Sequence, residues 1–98
     1  MTVNFRDWKC EAVFSRYYND RTAIQLIDEE TTWPPVATAT MNLPETELAR
    51  DEVIVKDYSE NIGMLDALME AGIVTAPVRY VRTGYVSCPI CKLISNQT

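Results

Sequence analysis

The 98-residue chain predicts one α+β domain over 1–98, a mainly antiparallel sheet of about five or six short strands with one helix packed on one face. Two observations carry this. Short β-branched or alternating apolar runs recur at 10–18, 22–27, 36–43, 53–55, 78–83 and 85–93, each bounded by Pro, Gly, Asn or Asp. Only one stretch, 57–72, has helical spacing between a start and a stop signal. Residues 1–9 and 94–98 lack such a pattern and are expected to fray.

Taken in order, 10–18 and 22–27 read as two strands of a hairpin. Asn19-Asp20 lies between them, and both residue types tolerate turn conformations. Trp33-Pro34-Pro35 closes a polar loop that cannot continue a central strand. Residues 36–43 alternate, with Thr38, Thr40 and Asn42 on one face and Ala37, Ala39 and Met41 on the other, until Pro44 stops the run. Val53-Ile54-Val55 suits a buried strand.

Asp57 then precedes Glu60 by three residues, the spacing of a capping box that satisfies orphan N–H groups at a helix start. Tyr58, Ile62, Leu65, Leu68 and Met69 fall on one helical stripe, while Ser59, Gly63, Asp66 and Glu70 point away from it. Gly72 is placed for a left-handed C-terminal residue, with Ile73 able to fold back on Leu68. Ala76-Pro77 separates this helix from the last two strands, which Gly84 punctuates.

The net charge of −5 is unevenly placed. Residues 45–70 hold eight acids against Arg50 and Lys56, a local balance of −6. From 75 to 98 there is no acid, only Arg79, Arg82 and Lys92. Direct nucleic-acid binding by counterion release needs clustered Lys and Arg and is not expected. A protein partner with a basic surface is. No apolar run reaches the roughly 18–20 residues that span a bilayer, and the start lacks a signal-peptide core, so a cytoplasmic location without membrane contact is expected. Three cysteines, an odd number, fit reduced thiols better than a disulfide framework.

The absence of histidine excludes Ser-His and Cys-His hydrolases, and three scattered glycines cannot form a phosphate loop. Carboxylate pairs such as Asp51/Glu52 and Asp57/Glu60 fit capping and a solvated face better than acid–base work. No catalytic residue and no cofactor are expected. Cys88-Pro89-Ile90-Cys91 is the one unit with a recognised chemical use. A closed zinc site needs four ligands, and a thioredoxin-like pair belongs at a helix start, whereas both flanks here read as strand. Structural thiols are the expectation, with metal or thiol binding by Cys88 and Cys91 as the alternative. Tyr17, Tyr18, Trp33, Tyr58, Tyr80 and Tyr85 lack the positive groove of a base-stacking platform. Trp33, on its loop, is a candidate anchor for a partner.

Ala37-Thr38-Ala39-Thr40-Met41-Asn42-Leu43-Pro44, residues 51–74 around Lys56-Asp57-Tyr58-Ser59-Glu60-Asn61, and the segment from Gly84-Tyr85-Val86 to Leu93 resemble a family of small uncharacterised domains. Phages, plasmids and conjugative elements of gut bacteria carry that family. With 23–28 the likeness covers most of 21–93. It transfers no catalytic residue; it implies a mobile-element setting and a cytoplasmic location.

The expected function is that of a non-enzymatic protein-interaction module, monomeric or weakly dimeric. Glu52, Asp57, Glu60, Asp66 and Glu70 form the candidate docking face. A nucleic-acid-binding host protein, whose groove already attracts rows of negative charge, is the natural target.

Overall fold

The computed structural model describes residues 1–31 and 34–94. The elements run β1 (Thr2–Phe5), β2 (Trp8–Arg16), β3 (Thr22–Asp28), β4 (Ala37–Thr38), β5 (Thr40–Met41), β6 (Glu52–Val55), a 3-10 turn (Ser59–Asn61), α1 (Met64–Glu70), β7 (Arg79–Thr83) and β8 (Val86–Lys92). Every paired strand is antiparallel, as expected. The strands form two four-stranded sheets rather than one, in the orders β1-β2-β3-β4 and β5-β6-β8-β7.

Ala39 is where one sheet becomes two. Its N–H donates to the Ile24 carbonyl of β3 (2.8 Å), and its carbonyl accepts from the Lys56 N–H just beyond β6 (2.8 Å). A single residue thus spends its donor on the first sheet and its acceptor on the second. Ala39 and Thr40 are both buried, so the strict alternation expected across 36–43 breaks at this bend. The Thr40 hydroxyl accepts from the Ile24 N–H (3.2 Å) and pairs with the Tyr17 hydroxyl (2.9 Å). No polar atom of that side chain goes unsatisfied there.

The N-terminus is structured, contrary to the expected fraying. β1 pairs with β2 from Thr2↔Glu11 to Phe5↔Trp8, and Val3 and Phe5 are buried. Four residues with only two apolar inward positions give too short a period-2 signal to stand out in the sequence. The hairpin expected around Asn19-Asp20 is present. Asp20 takes a left-handed φ of 70° and Arg16 braces its carbonyl (2.9 Å).

Two apolar clusters lie on opposite faces of the second sheet. Val53, Val55 and Cys91 join Val3, Phe5, Cys10, Ile24 and Leu26 of the first sheet in the main core, which α1 closes with Met64, Ala67 and Leu68. Ile54, Cys88 and Ile90 point the other way, under Leu43, Leu48 and Tyr58. β6 is therefore buried along its whole length, as its β-branched run predicts. Pro89, in β8, is tolerated because the pairing of β8 with β6 ends at Ile54↔Ile90, so no amide is required of it on that side.

The helix is shorter than its sequence pattern. Gly63 adopts φ 100° and divides the run into the 3-10 turn and α1. This resets the helical phase. The buried stripe becomes Met64, Ala67, Leu68 and, in part, Ala71, while Ile62 is 63% exposed and Met69 38%. Asp57 serves α1 rather than the turn beside it: its Oδ1 accepts from the N–H groups of Gly63 and Leu65, both at 3.1 Å. The C-terminus follows the expected pattern. The Ile73 N–H bonds the Leu68 carbonyl, the Gly72 N–H bonds that of Met69, and Ile73 and Leu68 are both fully buried.

Candidate functional site

The five candidate carboxylates do not form one surface. Glu52 is a correction: its side chain is only 6% exposed and lies in an ion pair with Arg79 at 2.8 Å. It begins β6 on the face that carries Ile54, where water is scarce, and a carboxylate there requires a partner. The Arg79 bonds, the Ala49 N–H at 2.9 Å and the nearby cations hold its carboxyl below the usual value. Asp57 is half-buried and its Oδ1 caps α1. Neither side chain is free to meet a partner.

Glu60, Asp66 and Glu70 are exposed. The Glu60 backbone N–H, followed by Lys56 at 3.4 Å, draws the Glu60 pKa down. Among the described residues, no ion pair engages Asp66 or Glu70. These two are one helical turn apart, and Met69 lies between them in sequence. Ile62, immediately before the helix, presents the largest aliphatic exposure in this region. Arg6 fixes this corner by donating to the Ile62 carbonyl at 3.3 Å. The candidate face is therefore narrower than the sequence implies, and more apolar. Gly63 is the signal that could have revealed it. Trp33 lies outside the described residues.

β8 separates the two cysteines of the Cys-x-x-Cys unit. Positions three apart in a strand project to opposite faces. Cys88 lies in the cluster under Leu43 and Leu48, and Cys91 in the main core. The pair cannot chelate one ion or close on each other without dismantling the strand. The metal- or thiol-binding alternative for Cys88 and Cys91 therefore finds no shared face within one chain. Burial, reinforced by Asp57, pushes the Cys91 thiol up to about 11 and raises that of Cys88 as well. Such thiols are poor nucleophiles.

Two adjoining clefts, each of about 530 Å³, run beside the loop that covers the second cluster. Arg16, Arg21 and Arg50 line one, and Arg21 and Arg79 the other. The Arg21 guanidinium donates to the carbonyls of Leu43 (2.8 Å) and Thr46 (2.6 Å), and Arg16 is 3.8 Å from Asp20. Arg16, Arg21 and Arg79 fasten loops through backbone carbonyls. Asn61, buried at the 3-10 turn, does the same on the other side, donating to the carbonyls of Thr38 (2.8 Å) and Lys56 (3.0 Å). No family model matches the chain, and neither does any curated protein or solved structure.

Proposed function

We propose that the protein is a small non-enzymatic interaction module that docks on a basic protein surface through the exposed side of α1. The observation that carries this reading is the exposure of Ile62 (63%) just before α1 and of Met69 (38%) on it, in a segment whose Asp66 and Glu70 have no ion-pair partner among the described residues. Apolar side chains at the centre of a contact supply desolvation energy, and carboxylates around them set orientation and speed the encounter. Asp66 and Glu70 are available for this because no cation among the described residues engages them. Glu60 extends the negative rim, partly screened by Lys56.

A nucleic-acid-binding host protein fits this surface, since a groove that attracts phosphates also attracts rows of carboxylates. A phage or mobile-element inhibitor acting on such a protein is the setting that the sequence resemblance implies. The test is binding of the full chain to a panel of purified basic DNA-binding proteins, with duplex DNA as competitor and salt varied. The expected result is binding that weakens with salt, competes with DNA, and is lost in Asp66→Lys/Glu70→Lys and in Ile62→Ser. Binding that ignores salt and all three substitutions, or no binding across the panel, refutes the reading.

A further inference from the structure

We infer that β7 is a self-pairing edge, on which a second copy of this chain docks antiparallel to join two four-stranded sheets into one of eight strands. Its residues are distinct from those of the α1 face. Among the described residues the sheets present four edge strands. β4 and β5 are two residues long, and β1 packs against α1. β7 has five residues and a neighbour on one side only.

The backbone pattern of β8 shows which groups of β7 are open. The Val78 N–H bonds the Ile90 carbonyl (2.8 Å) and the Thr75 N–H that of Lys92 (2.9 Å), whereas the Leu93 N–H turns the other way, to Asp51 (2.6 Å). Even-numbered residues of β8 therefore serve the β7 side. Their partners Arg79, Val81 and Thr83 face inward. Tyr80 and Arg82 stand opposite Pro89 and Ser87, odd-numbered residues whose backbone groups face β6 rather than β7. The N–H and C=O groups of Tyr80 and Arg82 are thus directed outwards.

Edge strands are commonly defended by charge, and here that defence is incomplete. Arg79 is turned onto Glu52, leaving Arg82 as the strand's cation with no partner among the described residues. Tyr80 is 62% exposed beside it. Three antiparallel registers bring outward residues into mutual hydrogen bonding. Pairing Arg82 with itself sets like charges face to face. Pairing Tyr80 with itself forms only one reciprocal pair within the strand. The register centred on Val81 places each Tyr80 opposite Arg82 of the second copy, uses all four open groups of both chains, and avoids a facing Arg–Arg pair. Directly opposed residues project to the same face with Cβ atoms about 5 Å apart, within reach of a cation–π contact. The edge is complementary to itself in hydrogen bonding, and this register keeps the two Arg82 side chains from facing each other.

Sedimentation of the full chain into the millimolar range tests this. The mass is expected to rise from 11.2 kDa to twice that value. Arg82→Pro removes an outward donor and leaves the β8 ladder intact, so it is expected to weaken association roughly tenfold or more with an unchanged circular dichroism spectrum. Mixing Tyr80→Cys with Arg82→Cys chains is expected to give mixed disulfide dimers in excess of those each variant forms alone. A mass of 11.2 kDa at every concentration overturns the proposal. So does association that Arg82→Pro leaves intact, or cross-linking with no preference for the mixed pair.

Discussion

Arg79 reaches past the intervening strand β8 to hold both carboxylate oxygens of Glu52, at 2.8 and 3.0 Å. Its Nη2 also donates to the Glu47 carbonyl (2.7 Å), while Glu52 Oε1 accepts from the Ala49 N–H (2.9 Å). The pair therefore ties two non-adjacent strands to the loop that covers Ile54, Cys88 and Ile90. A bidentate guanidinium–carboxylate contact with one partner buried is geometrically exacting, and lysine cannot reproduce it.

The pair sets the acid limb of stability. The folded Glu52 carboxyl titrates below its usual 4.5 because Arg79 and the Ala49 N–H favour the charged form. Its contribution is therefore complete above about pH 4.5, the unfolded value, and is lost as pH falls through the lower folded value. Urea unfolding midpoints are expected to decline below that point in the wild type and to decline less in Glu52→Gln. At neutral pH, Arg79→Met should cost more than the double variant Arg79→Met/Glu52→Gln adds to it, because the single change strands a buried charge. Additive losses would show that the two residues act independently.

The Asp57 cap is expected to be worth about 1 kcal/mol, the usual loss when such an oxygen is removed from a helix start. Asp57→Ala should show that loss in chemical denaturation, and Asp57→Asn, which retains Oδ1, a smaller one. Glu60→Ala is expected to change little, since the reciprocal half of a capping box is not what the helix uses. The comparison of Asp57→Ala with Glu60→Ala reads out directly which residue caps α1.

How much of this was legible depended on how local each cause was. The Asn19-Asp20 turn, the buried β6 run and the Gly72–Ile73 stop are written in adjacent residues, and the structure has all three. The bend at Ala39 was not legible, because the chain alternates smoothly through it. Only the need to serve Ile24 on one side and Lys56 on the other creates the break. The acidic face was misread for a similar reason. Glu52 and Asp66 look alike in a charge count, yet one meets Arg79 from 27 residues away and the other meets no cation among the described residues. Long-range pairing decides which charges remain available, and neither composition nor periodicity encodes it.

The C-terminus of α1 yields a paired prediction. Gly72 has φ 77°, and a Cβ placed there meets no atom within 4 Å. Gly72→Ala is expected to cost about 1 kcal/mol, purely from holding a side-chain-bearing residue in the left-handed region. Leu68→Ala removes a fully buried side chain from the main core and should cost about 2–5 kcal/mol. Urea denaturation of both variants checks the order. A Gly72→Ala loss as large as that of Leu68→Ala would mean that the site is packed rather than merely strained.

The thiols give the alkaline limb. Burial raises all three from 9.0, with Asp57 adding to the effect at Cys88 and Cys91, and Asp28 and Glu29 at Cys10. Cys91 is raised furthest, to about 11. A thiol whose folded value lies above its unfolded one contributes stability that is complete below the unfolded value. It is lost as pH rises from about 9 towards about 11, because the unfolded chain ionises first. The urea midpoint is expected to fall across that window in the wild type and to fall less in Cys91→Ala, which starts from a lower stability because it leaves a cavity. At neutral pH a disulfide exchange reagent should label no cysteine in the native protein and three in urea, with native labelling limited by global opening. Rapid native labelling of Cys88 or Cys91 would show that the strand does not bury them on opposite faces.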